Sequence, residues 1–92
     1  MRVRWTPSAV ADLEEISDYL FERNPQAAIS VLQRVDESVA TLKLFPNMGR
    51  PGRKKDTREL VVPTSPYLLV YQVADEILHI LRVLHGAQYW PE

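Results

Sequence analysis

Three groups of residues have types and spacings that could carry chemistry. The densest lies in residues 47–58, where Arg50, Arg53, Lys54, Lys55 and Arg58 face Asp56 alone, a local net charge of +4. The planar forks of Arg50 and Arg53 suit phosphates or carboxylates, while Lys54 and Lys55 add point charges. Such a run reads as a solvated loop, or as a contact for nucleic acid or an acidic protein. The second group is Arg82 and His85, just before Gly86-Ala87-Gln88-Tyr89-Trp90. Here the imidazole could move a proton near neutral pH while the arginine stabilises phosphorane-like charge. Equally, Arg82 could pair with an internal acid and His85 could bond to backbone. The third group, Glu14, Asp18 and Glu22, repeats at i, i+4. Like charges at that spacing repel mildly and mark a solvated face or a surface awaiting a basic partner.

Other chemistries are poorly supplied. His79 and His85 are the only histidines, and the chain has no cysteine. On one face of a strand they would stand about 20 Å apart, too far to share an ion. Serine-nucleophile and phosphate-loop motifs are absent, since Gly49-Arg50-Pro51-Gly52 lacks the Lys-Ser/Thr of a P-loop. No metal or cofactor is expected.

The elements that must hold these groups are legible from periodicity. Arg2 to Trp5 alternates and reads as a short strand. Thr6-Pro7 and Asn24-Pro25 both read as helix starts, because a short polar side chain caps and proline loses no bond at the first position. Val10, Leu13, Ile16 and Leu20 form one apolar stripe, with Asp12, Glu15, Asp18 and Glu22 outside it. Ala28, Val31, Leu32, Val35, Val39 and Leu42 form a second, ending before Pro46. Helices joined by one or two residues must fold back as an antiparallel hairpin. Asn47 to Asp56 reads as a loop. Residues 57–62, 67–74 and 77–85 are strands joined by short turns, an antiparallel meander. The last two are apolar on both faces, so Leu78, Ile80 and Leu84 should form a face that Arg82 interrupts, and the sheet should be covered on both sides. The expectation is one α+β domain over residues 1–92, ordered β-α-α-β-β-β, with a helical hairpin on a mainly antiparallel four-stranded sheet.

Composition agrees with a single globular unit: 92 residues, 46% hydrophobic and 25% charged. Net charge is only −1, so any nucleic-acid contact must be local to the cationic run. No segment is apolar enough for a membrane span or secretory signal, and the lack of cysteine suits a reducing cytoplasm.

In this order the residues resemble the ParE/RelE superfamily of bacterial type II toxin–antitoxin toxins. The resemblance runs through the hairpin, Phe45-Pro46-Asn47-Met48-Gly49-Arg50, Arg58-Glu59-Leu60, Tyr67-Leu68-Leu69-Val70-Tyr71-Gln72-Val73 and Ile80-Leu81-Arg82-Val83-Leu84-His85-Gly86. It implies a cytoplasmic growth inhibitor of the plasmid-stabilisation type. A cognate antitoxin would neutralise it as a hetero-oligomer that reaches operator DNA only through the antitoxin. The antitoxin segment is expected across the sheet and hairpin.

RelE-like members cut messenger RNA on the ribosome, whereas ParE-like members share the fold and poison DNA gyrase. The cations that RelE-like toxins carry along the second strand, after the tyrosine of the third and beyond the last are replaced here by Glu59, Val61 and Val62, by Leu68, and by Gly86-Ala87-Gln88. Arg58, Arg82, His85 and Tyr89 remain as a thin nuclease set, so the resemblance favours a non-catalytic ParE-like toxin. Arg50, Arg53, Lys54, Lys55, Arg58, Arg82, His85 and Trp90 are then candidates for contacting the antitoxin or target. The alternatives are a ribosome-dependent endoribonuclease and a degenerate member that only binds its antitoxin.

Overall fold

The computed structural model describes residues 1–86. Both helices begin where the sequence places them. The Thr6 hydroxyl accepts the Ala9 N–H at 3.1 Å and opens α1 (Pro7–Arg23), and Asn24 Oδ1 accepts the Ala27 N–H at 3.2 Å and opens α2 (Pro25–Leu44). Asn24 also closes α1, its N–H bonding the Leu20 carbonyl at 2.7 Å. One residue therefore ends one helix and starts the next, which turns the chain back on itself.

The sheet has five strands, not the expected four. They are β1 (Arg2–Trp5), β2 (Arg50–Pro51), β3 (Arg58–Val61), β4 (Tyr67–Ala74) and β5 (Ile77–His85), in spatial order β1-β5-β4-β3-β2. Only β1 and β5 run parallel. The additional strand is two residues of the presumed loop, Arg50 opposite Glu59 and Pro51 opposite Arg58. No hydrophobic alternation announces it, because a side-chain carboxylate described below holds the pairing. Proline suits such an outermost position.

The helices pack Ala9, Leu13, Ile16 and Leu20 of α1 and Val31, Val35, Val39 and Leu42 of α2 against Leu69, Tyr71, Leu78, Ile80 and Val83 of the sheet. The α1 stripe starts one residue earlier than expected. Ala9 is fully buried and Val10 is 41% exposed, because 9, 13, 16 and 20 keep better helical phase.

A second correction concerns β5. Val70 pairs with Arg82 but Tyr71 pairs with Ile80, leaving Leu81 as the extra residue of a β-bulge. The alternation slips there. Leu78 and Ile80 share the helix side with Tyr71, whereas Arg82 and Leu84 share the opposite side with Val70 and Leu68. His79, opposite Gln72, and His85, opposite Tyr67, consequently lie on opposite faces rather than one. His79 Nδ1 accepts the Arg4 Nε–H at 2.9 Å. Leu68, Val70 and Leu84 are all buried on this side of the sheet, while Val61, opposite Leu68, is 52% exposed. Further exposed large apolar residues lie on the hairpin and its exit, at Tyr19, Phe21, Ile29, Leu44, Phe45 and Met48, and on the sheet at Val73.

Beyond Trp5 the chain leaves the sheet and β5 loses its neighbour. Helix α1 completes this edge. The Thr6 N–H bonds the Ile80 carbonyl at 3.0 Å, the Thr6 hydroxyl bonds the Leu81 carbonyl at 2.9 Å, and Asp12 accepts the Val83 N–H at 2.9 Å. Edge groups that would otherwise invite another chain are thereby satisfied.

Candidate functional site

The cationic segment is organised around two buried side chains of the sheet. Glu59 is 2% exposed and accepts the Arg53 N–H at 3.0 Å, Arg53 Nε at 3.2 Å and Arg50 Nη2 at 3.2 Å. Burial alone would raise its carboxyl, but the Arg53 backbone bond and the Arg53 and Arg50 guanidinium groups outweigh it and hold it below the ordinary value. Tyr71, fully buried in the middle of β4, donates its hydroxyl to the Pro46 carbonyl at 2.6 Å and accepts the Gly49 N–H at 2.9 Å. Burial raises this hydroxyl, against the opposing effects of the Gly49 bond and Arg58. A Cβ on Gly49 would stand 2.6 Å from that hydroxyl and 2.9 Å from the Glu59 carbonyl, so the close approach requires glycine. The Phe45–Arg50 stretch is thus a loop pinned by one tyrosine.

Of the expected contact residues, Arg50 and Arg53 are tied to Glu59, with their side chains still 63% and 41% exposed. Arg58 bonds the Gly49 carbonyl at 2.7 Å and serves the same loop. Lys54 and Lys55 are exposed beside Asp56, whose φ of 64° marks the turn. The segment presents cations outward on a frame that is internally neutralised at Glu59.

Of the two readings of Arg82, the structure shows the pairing with an internal acid. Asp12 takes its Nε at 2.6 Å and Nη2 at 3.0 Å, a bidentate pair with side chains 18% and 14% exposed. Asp12, read from periodicity as an outer residue of α1, faces the sheet edge instead. The Glu14, Asp18 and Glu22 ladder is exposed as expected. A cavity of about 360 Å³ opens beside the Arg82–Asp12 pair, lined by Asp12, Glu15, Tyr19, Tyr67, Val83 and His85. The exposed His85 ring meets the Tyr67 ring edge-on, 6.0 Å between centroids.

The nuclease candidates are therefore not gathered. Arg58 lies opposite Tyr71 and His85 opposite Tyr67, four residues apart along β4, or about 13 Å. His85 lines the cavity together with Asp12, the partner of Arg82, but Arg58 serves the loop at the other end. Tyr89 and Trp90 lie outside the described residues. Glu59, Tyr71 and Asp12 were not singled out as site residues. A tyrosine in mid-strand among apolar residues was the one sequence signal for such a role, since a buried phenol needs a partner. Among the described residues no group of three or more acidic or histidine side chains is placed to hold a metal, and no helix is long and apolar enough to cross a membrane.

Two helices in a hairpin on a five-stranded mixed sheet are the architecture of a ParE/RelE-superfamily toxin. Residues 3–90 match the ParE toxin of type II toxin–antitoxin systems (parDE), and the chain belongs to this family. It is 42% identical over 91 residues to the Y4kP protein of Sinorhizobium fredii, covering 99% of this chain and 94% of that one. Toxin RelE2 of Caulobacter vibrioides is 39% identical over 87 residues, covering 95% and 97%. A chain of the chromosomal ParDE system from P. aeruginosa superposes with a TM-score of 0.82 at 28% identity, covering 92% and 95%.

Proposed function

We propose that this toxin is neutralised by a cognate antitoxin in the cytoplasm and that its target is DNA gyrase, which it poisons by contact rather than by cutting RNA. The observation that carries this reading is the bidentate Arg82–Asp12 pair. An arginine that stabilises a transition state must meet charge that appears only there. Here its fork is already answered by a carboxylate fixed on α1, and Arg58 is engaged with loop carbonyls. Both arginines that a nuclease would draw on thus hold the scaffold together.

The antitoxin reading draws on the ParDE likeness and on exposed apolar residues of the hairpin exit, Leu44, Phe45 and Met48, beside the cationic loop. An acidic, amphipathic segment fits that combination, and operator DNA would be reached only through it. Messenger cleavage is the second reading, because His85 lines one cavity with Asp12, which holds Arg82, and Toxin RelE2 is a relative. Induction in a host without antitoxin separates the readings. Filamentation with a DNA-damage response supports gyrase, immediate translation arrest supports cleavage, and unimpeded growth supports antitoxin binding alone.

A further inference from the structure

The cavity between α1 and the end of the sheet holds two polar groups that the fold leaves unanswered. Tyr67 is 8% exposed, and its hydroxyl makes no hydrogen bond among the described residues. Buried hydroxyls are nearly always bonded, so an unbonded one on a residue that lines a cavity points to something that enters. Glu15 stands on the rim, exposed, with no ion pair among the described residues. Asp12 also lines the space, but both its oxygens are engaged by Arg82 and the Val83 N–H. No lysine or arginine lines the cavity, so Glu15 sets its charge. The Tyr19 ring on the same wall already carries the Arg23 guanidinium, 3.7 Å above its centroid.

We propose that this cavity receives one arginine side chain of a protein partner, its guanidinium shared between the Tyr67 hydroxyl and the Glu15 carboxylate. An anionic group would meet Glu15, and an apolar one would leave the Tyr67 hydroxyl unanswered. A guanidinium offers five donors in a plane, reaches two acceptors at once and packs on tyrosine rings, which an ammonium does less well. A space of about 360 Å³ admits such a side chain with its stem. The site stands on this lining and holds whether gyrase or the ribosome is the target.

The test is NMR of the purified toxin with ring-labelled tyrosine and histidine, titrated with N-acetyl-arginine amide and, as control, N-acetyl-norleucine amide. Tyr67, Tyr19 and His85 signals should move saturably with the arginine probe alone. Glu15→Gln and Tyr67→Phe should each weaken it about three- to tenfold while the remaining spectrum stays folded. Equal responses to both probes, or a response indifferent to both variants, would overturn the proposal and leave the cavity to water. Repeating the titration on the toxin–antitoxin complex locates the source. Tyrosine signals already shifted and closed to the probe place the arginine on the antitoxin, whereas an unchanged response places it on the target.

Discussion

Glu59→Gln keeps the shape of the buried side chain and removes its charge. The carboxylate, 1% exposed as a side chain, accepts three bonds at 3.0–3.2 Å from Arg53 and Arg50. Bonds to a charged group contribute about 1.5–3 kcal/mol each at most. The Arg50 and Arg53 side chains are 63% and 41% exposed, so water replaces much of what they lose. Glutamine also still accepts the Arg53 N–H. The net loss should be about 1–2 kcal/mol near pH 7, or a Tm lower by about 5–15 °C for a domain of this size. Because the folded carboxyl lies below its ordinary value of 4.5, its stabilisation is complete above 4.5 and disappears as pH falls through the folded value. Thermal unfolding of both proteins from pH 7 to 3 checks this. The gap should stay constant down to about pH 4.5 and then close. A gap that does not narrow between pH 4.5 and 3, or none at pH 7, would refute the view that Glu59 organises the loop by charge.

Tyr71→Phe should cost about 1–3 kcal/mol, because the Pro46 carbonyl and Gly49 N–H lose their buried partner, read as a lower urea midpoint at unchanged m. Glu76→Gly should raise stability by about 0.5–1 kcal/mol, since Glu76 sits at φ 59° in the β4–β5 turn, where glycine is unstrained; a falling Tm would contradict this. Lys54→Glu with Lys55→Glu should leave stability within about 0.5 kcal/mol while weakening antitoxin or target binding. Unchanged affinity and unchanged growth inhibition would return these lysines to an ordinary solvated loop.

The helix starts were legible because Thr6-Pro7 and Asn24-Pro25 act through their nearest neighbours alone. The long strands were legible for the same reason, as β-branched and aromatic runs between turns. The bulge at Leu81 was not, because β5 is apolar on both sides and a one-residue slip leaves the pattern looking unchanged. Strand β2 was hidden because a carboxylate nine residues away fixes it. In the sequence Glu59 stands out only where a cation is missing, although it holds the neighbouring Arg50 and Arg53 in place. An internal acid is one of two readings the sequence allows for Arg82, and its choice of Asp12, seventy residues away, rests on where β1 leaves the sheet.

The most direct measurement incubates purified toxin with gyrase and supercoiled DNA, and in parallel with translating ribosomes. The account predicts gyrase-dependent DNA breaks and intact messenger, with the breaks surviving His85→Ala, since no bond is made or broken on this protein. Cleaved messenger whose formation falls by about 10²–10⁴-fold in His85→Ala would contradict it.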